Sequence, residues 1–210
     1  MMHSKAVILC NGEPPDRKLI LPEIESASLF IAADGGANIA LELGLTPDVV
    51  IGDMDSFFPD EKTSLKVMRD KNQETNDLEK ALAYAEKTEV IDVVVFGATG
   101  LRTDQTLKNL SVLKQFNSRF RNILFRDNLC DIFLATSPTI KKFPTGTSIS
   151  LFPLSGRVEN ITTKGLKYAL NHEFLENGVR DGSSNETISP EVEIHFESGD
   201  LLLIVNHNSD

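Results

Sequence analysis

The chain has 210 residues, 40% of them hydrophobic, and a formal net charge of -10. That length accommodates a real core in one large domain or two small ones. The acidic balance argues against wrapping a polyanion such as DNA, and no apolar run approaches the roughly 18 residues of a membrane span.

Along the first 135 or so residues, short apolar strands alternate with helical patterns, which is the signature of an α/β layer. The predicted strands are Ala6 to Cys10, Phe30 to Ala33, Val49 to Ile51, Val90 to Phe96, Ile123 to Phe125 and Ile132 to Ala135. The first is too short for a signal-peptide core and ends in the turn Asn11-Gly12-Glu13-Pro14-Pro15, so a cytoplasmic location is expected. Ala37 to Leu43 reads as a helix stopped by Gly44 with Pro47 beyond. Asp77 to Lys87 places Leu78, Ala81, Leu82 and Ala85 on one helical face, and Thr106 to Phe116 does the same with Leu107, Leu110 and Leu113. After Pro138 the texture changes. Ile149 and Leu151 alternate with serines, and Val192, Ile194 and Phe196 alternate with polar residues. Ser198-Gly199-Asp200 reads as a hairpin turn into the buried strand Leu201 to Val205. The expected architecture is an α/β domain with a mainly parallel sheet over residues 1–136, then a small all-β domain over residues 137–210.

The cysteines Cys10 and Cys130 have neither zinc spacing nor a Cys-x-x-Cys pairing and read as buried reduced thiols. The histidines His3, His172, His195 and His207 are scattered, with no close pair to suggest a metal site. An acidic protein can still hold ATP when a divalent cation mediates the contact, and such a site needs clustered carboxylates.

Four loops supply them, each after a predicted strand or opening a helix, where α/β folds place ligands. In Ala33-Asp34-Gly35-Gly36-Ala37-Asn38, the glycines let a ligand approach backbone N–H groups at a helix start; Asp34 serves equally well as a simple helix cap. In Gly52-Asp53-Met54-Asp55-Ser56, two carboxylates converge on one Mg²⁺ or form a solvated acidic turn. In Gln73-Glu74-Thr75-Asn76-Asp77, Asn76 and Glu79 fit a capping box, a sufficient local role, with Asp77 in the first turn. In Gly97-Ala98-Thr99-Gly100-Leu101-Arg102-Thr103-Asp104-Gln105, the glycines permit a phosphate-lining loop. There Arg102 can fork onto phosphate and Asp104 can serve metal or proton transfer; the alternative is a turn with a surface ion pair. No Gly-Lys-Ser/Thr follows, so this is not a Walker A loop. If the strands are parallel, all these acids share one sheet edge. There they raise each other's pKa unless a cation neutralises them.

As a set, these motifs resemble the thiamin pyrophosphokinase family. The resemblance is carried by Ala33 to Asn38, Pro47 to Ser56, Gln73 to Leu78 and Gly97 to Asp104, and in the second half by Gly165-Leu166-Lys167-Tyr168 and Gly182-Ser183-Ser184-Asn185-Glu186. It implies transfer of pyrophosphate from ATP to the hydroxyethyl oxygen of thiamine, giving thiamine diphosphate and AMP. It also implies that the first domain is an α/β nucleotide-binding domain with a mainly parallel sheet, that the second is a β-sandwich, and that a homodimer binds thiamine between subunits. By carry-over, Asp53, Asp55, Asp77 and Asp104 hold Mg²⁺ or lie beside the reacting phosphates, with Asp55, Asp77, Asp104 and Arg102 as catalytic residues. Gln73 and Arg102 contact phosphates. Asp34, Gly35, Gly36, Asn38, Asn76, Gly97 and Gly100 line the nucleotide pocket, and Ser183, Ser184 and Asn185 face thiamine. The chain departs from the family pattern at Asn76, where Thr is usual, at Gln105, where bacterial members often have His, and at Tyr168, where Trp is frequent. The competing expectations are a pyrophosphokinase for another small alcohol such as a hydroxymethylpterin, a phosphatase using Asp53-Met54-Asp55, and a non-catalytic nucleotide sensor.

Overall fold

Runs of β-branched and apolar residues separated by helical stripes produce a parallel sheet in the first half of the chain. The computed structural model describes residues 4–57 and 65–207, so His3 lies outside the described residues. They divide into a first unit ending at Asn128 and a second starting at Leu129.

The first unit runs β1 (Lys5–Leu9), α1 (Arg17–Glu25), β2 (Leu29–Ala33), α2 (Gly36–Glu42), β3 (Val49–Gly52), β4 (Val67–Arg69), α3 (Asp77–Glu86), β5 (Asp92–Phe96), α4 (Thr103–Phe116) and β6 (Asn122–Arg126). The strands lie in the order β6-β5-β1-β2-β3-β4, and each adjacent pair is parallel. The chain leaves β1 toward β2 and later returns to place β5 on its other side. That makes the C-terminal edge beside β1 a topological switch point. Val7 and Leu9 pack with Ile20 of α1 and Ile39 and Ala40 of α2. Burial of each of the larger side chains, Val7, Leu9, Ile20 and Ile39, contributes roughly 1.5–3 kcal/mol.

The expected stripe on α3 is present: Leu78, Ala81, Leu82 and Ala85 are all buried. Its start is the expected capping box, with the Asn76 side chain accepting from the Glu79 amide and the Glu79 carboxylate from the Asn76 amide. On α4 the inward face differs from expectation. Asn109, Val112, Leu113 and Phe116 are buried, while Leu107 is 61% exposed. The true stripe follows i, i+3, i+4 and i+7, but it begins with a polar residue and so escapes a search for apolar spacing. Helix α1 and strand β4 lie outside the predicted elements. Helix α1 carries Pro22 inside it, which removes one backbone donor. Strand β4 is exposed along its whole length at the sheet edge, so it shows no burial pattern.

The second unit runs β7 (Cys130–Leu134), β8 (Thr139–Lys142), β9 (Ser148–Pro153), β10 (Val158–Lys164), β11 (Glu173–Leu175), β12 (Gly182–Glu186), β13 (Glu191–His195) and β14 (Leu201–Asn206). Its strands form the antiparallel arrays β12-β9-β14-β7 and β11-β10-β13-β8. A shared core unites Ile149 and Leu151 with Leu201, Leu203 and Val205 from the first array, and Val158, Ile161, Leu175, Val192 and Ile194 from the second. The alternating pattern of β9 and β13 therefore marks the inner faces of a sandwich. The expected hairpin at Ser198-Gly199-Asp200 is instead a corner between the two arrays. β13 pairs with β8 and β10, whereas β14 pairs with β7 and β9. The division after Asn128 falls before the expected boundary at 136/137, and β7 pairs along its full length with β14. Cys10 and Cys130 are buried, and no disulfide joins them. Among the described residues, no helix is long and apolar enough to cross a membrane.

Candidate active site

Because the strands of the first unit are parallel, the loops leaving β1, β2, β3 and β5 open on one edge. They enclose a cavity of about 440 Å³ lined by residues from each of these loops and from the start of α3 and α4. Between β1 and β5 the ladder continues past the strands. The Gly12 amide donates to the Gly97 carbonyl at 2.9 Å and the Glu13 amide to the Thr99 carbonyl at 2.9 Å. A Cβ on Gly12 would fall 2.3 Å from the Gly97 oxygen, so only glycine allows this approach.

Asp34 follows β2 in the left-handed region, with φ 43°, and is 2% exposed. Its side chain does not cap α2. Instead its Oδ2 accepts from the Ser56 amide at 3.0 Å, while Asn38 Nδ2 donates to the Ser56 carbonyl at 2.8 Å. The two residues therefore grip the acidic loop after β3 from both sides. The Asp34 Oδ1 is buried without a hydrogen-bond partner. Gly35 and Gly36 line no part of the cavity. A Cβ on Gly36 would lie 2.1 Å from the Leu9 oxygen, so this glycine serves the packing of α2 against β1.

In the loop after β3, Met54 is left-handed at φ 63°, turning Asp53 and Asp55 toward one another. The Asp55 amide donates to Asp53 Oδ1 at 3.2 Å, and Ser56 Oγ to Asp55 Oδ1 at 2.8 Å. Gln73 Nε2 donates to Asp53 Oδ2 at 2.9 Å, which is the main reason the Asp53 carboxyl sits below its usual range. Asp34, Asp53 and Asp55 each offer a carboxylate oxygen, and these lie within 4.8 Å of one another. Asp77, in the first turn of α3, is beside them: a Cβ on Gly52 would be 2.6 Å from Asp34 Cβ and 3.1 Å from Asp77 Oδ1. Burial, and then the charge of Asp77, push Asp34 up. Asp77 is itself pushed up by burial, helped by Asp53 and Asp55 and opposed by Lys80. Carboxylates raised by burial and mutual repulsion, one with an orphaned oxygen, are a hard-oxygen donor set of the kind Mg²⁺ takes.

Arg102 and Asp104 are apart from that cluster. Their side chains are 71% and 64% exposed and form a forked pair at 3.1 and 2.6 Å. The hydrogen bond from Arg102 lowers the Asp104 carboxyl. Arg102 lines the cavity together with Gly97, Gly100, Asn76, Asp34, Asp55 and Asp77, whereas Asn38, Gln73, Asp53 and Asp104 do not. Asn76 also donates to Asn109 Oδ1 at 2.9 Å, and Asn109 donates to the Ala98 carbonyl at 2.8 Å, tying α3 to the loop after β5.

In the second unit, Ser183, Ser184 and Asn185 lie on β12, where the pairing with β9 shifts register. Ser184 is left-handed at φ 57°. The Asn185 side chain is 5% exposed, and its partners are backbone. Its Oδ1 accepts from the Tyr168 amide at 3.0 Å and the Glu186 amide at 2.9 Å, and its Nδ2 donates to the Tyr168 carbonyl at 2.9 Å. Tyr168 itself is 63% exposed.

Sequence reasoning missed Asn11 and Gly12, Lys80 and Asn109. Asn11 and Gly12 follow a buried strand just as the loops after β2, β3 and β5 do, so position alone is enough to find them. Lys80 and Asn109 are polar residues in helix interiors, with no local signal.

A family model described as "Thiamin pyrophosphokinase, catalytic domain" matches residues 21–125, and one described as "Thiamin pyrophosphokinase, vitamin B1 binding domain" matches residues 138–201. A thiamine pyrophosphokinase of Bacillus subtilis is 28% identical over 95% of this chain and 98% of its own length. Thiamine pyrophosphokinase 1 of Oryza sativa subsp. japonica is 28% identical over 96% and 86%. Among solved structures, the Bacillus subtilis thiamine pyrophosphokinase superposes with a TM-score of 0.85 at 25% identity, covering 98% of this chain and 100% of that one. The Candida albicans thiamin pyrophosphokinase shares the fold with a TM-score of 0.86 at 20% identity, over 98% and 90%. Matched in both its α/β and its β-sandwich halves, the chain belongs to the thiamin pyrophosphokinase family.

Proposed function

We infer that the chain is a thiamine pyrophosphokinase, which transfers the terminal pyrophosphate of ATP to thiamine and releases AMP and thiamine diphosphate. The observation that carries this reading is the convergence of acid-bearing loops on one cavity of a family member. The match of the second half to a vitamin B1 binding domain disfavours a pterin as the acceptor. We place the enzyme in the cytoplasm, where buried thiols not joined in a disulfide stay reduced.

In this reading Asp53, Asp55 and Asp77 hold Mg²⁺ with Asp34 beside them, while Gln73 orients Asp53 and Asn76 shapes the wall toward Gly97 and Gly100. Held there, Mg²⁺ would supply positive charge to offset the negative charge that develops on the phosphates during displacement at the β-phosphorus. Arg102 turns its fork from Asp104 to a phosphate. Because that pair is exposed, opening it costs little. Once Arg102 has left, Asp104 loses the contact that lowers its pKa and becomes the better acceptor for the hydroxyl proton of thiamine. Ser183 and Ser184 face thiamine, and Asn185 serves by fixing the backbone of Tyr168.

The test is incubation with ATP, Mg²⁺ and thiamine, followed by chromatography of the products. AMP and thiamine diphosphate should rise together; ADP with thiamine monophosphate would exclude attack at the β-phosphorus. The homodimer with shared sites belongs to the same proposal. Mixing separately inactive Asp55→Ala and Asn185→Ala chains should restore roughly one quarter of wild-type activity, given random exchange and two-fold symmetry. No recovery after proven exchange would place the whole site within one chain.

A further inference from the structure

The reading above gives Lys80 no role, yet its position demands one. Its side chain is 4% exposed, and an ammonium withdrawn from water needs a partner. The partner is Asp77, whose Oδ1 lies 3.1 Å from Lys80 Nζ. The two residues are i, i+3 on α3 and so meet on one side of its first turn. Among the described residues, the acids Asp34, Asp53 and Asp55 also act on or feel the charge of Asp77. Lys80 therefore sets one buried positive charge against four carboxylates. It lines no part of the candidate active cavity. It borders a separate cavity of about 470 Å³ with Ile51, Met68 and Tyr84, and so approaches Asp77 from outside the active cavity.

We propose that Lys80 is a positioning residue for the divalent cation: its fixed charge holds Asp77 in the cluster before the cation arrives and limits how tightly the cation is then held. The oxygen Lys80 engages, Oδ1, is also the one that lies beside Gly52 and Asp34, so a cation reaching it meets the ammonium at close range. A cation entering among the four acids gains their attraction less the repulsion of one ammonium at close range. This holds affinity in a reversible range, which a cation leaving with product requires. The inference rests on the metal reading proposed above.

The experiment compares wild type, Lys80→Met and the double variant Asp77→Asn/Lys80→Met, using Mn²⁺ alone as the probe, by electron paramagnetic resonance and by thermal melting. Methionine keeps the unbranched stem and removes the charge. Without cation, Lys80→Met should melt lower than wild type. Its Mn²⁺ affinity should be about tenfold tighter, and saturating Mn²⁺ should raise its Tm by more than it raises that of wild type. The double variant, which removes both members of the pair, should recover much of the lost cation-free stability. Unchanged or weaker Mn²⁺ affinity in Lys80→Met would overturn the proposal and leave Lys80 as helix packing alone. So would a double variant no more stable than the single one. If Lys80→Met folds only with Mn²⁺ present or with Asp77→Asn added, the proposal stands; if neither restores folding, it fails. Absence of Mn²⁺ binding by wild type would instead remove the metal reading itself.

Discussion

Two acidic regions open on the same sheet edge and solve opposite problems. The Asp34, Asp53, Asp55 and Asp77 group is crowded and partly buried, and it holds a carboxylate oxygen with no partner. The Arg102–Asp104 pair is solvated and satisfied within itself. The first region is poised to gain from a ligand without moving. The second must give up an existing contact to engage one, at small cost. Proximity in sequence to a glycine-rich turn does not distinguish the two; burial does.

The largest expected effect is in the crowded group. Asp55→Ala should lower turnover by roughly a thousandfold, equivalent to about 4 kcal/mol of lost charge stabilisation, with the circular dichroism spectrum retained because Asp55 is exposed. Asp77→Ala should match that loss and also lower the melting temperature, since it strands the buried ammonium of Lys80. Near wild-type turnover in Asp55→Ala at saturating Mg²⁺ would take the crowded group out of the chemistry. A smaller effect is expected from Arg102→Ala, whose activity should fall about 10- to 100-fold while its Tm stays within about 1 °C of wild type. A Tm drop as large as that of Asp77→Ala would show that the exposed pair is structural after all.

Smaller still is a gain. Asp34→Asn keeps the acceptor for the Ser56 amide and removes a charge from among like charges. The cation-free Tm should rise by about 2–4 °C while activity falls. A lower Tm would mean that Asp34 is not electrostatically strained. The smallest effect concerns Glu79, which is 6% exposed. Burial alone would raise its pKa, but Lys108 and the Asn76 amide together hold it below the ordinary value. A depressed carboxylate contributes stability that is present above the unfolded pKa and lost as pH falls through the folded one. Glu79→Gln should therefore cost about 1 kcal/mol near neutral pH, and the deficit should shrink below about pH 4.5. A deficit independent of pH would show that hydrogen bonding, not charge, is at work.

The same contrast explains what could be read before the structure. Strands β1, β2, β3 and β5 are apolar runs with turn signals after them, so their loops, and the acids on them, could be placed. The capping box at Asn76 is a local pattern and was found for that reason. Which acids gather depends on register and backbone twist: Asp34 enters the three-acid group through a left-handed residue that spacing does not reveal, while Asp104 turns back to Arg102. Lys80 and Asn109 are polar residues whose burial comes from tertiary partners alone. The Ser198 to Asp200 corner has the composition of a hairpin, and only the pairing of β13 and β14 with different neighbours distinguishes it.

The close approach of Gly12 to Gly97 bears on how duplicated copies of such a chain would be judged. Many substitutions can be absorbed over evolutionary time, because a neighbouring side chain re-packs. Here the obstacle to any larger residue at position 12 is the backbone oxygen of Gly97, which has no alternative rotamer. A paralogue that keeps every aspartate but has alanine at this codon should have lost the cavity floor, and should be retained, if at all, for another task. Gly12→Ala in the present chain is the direct check: the variant should fail to turn over substrate, and unimpaired turnover would show that the two loops can separate.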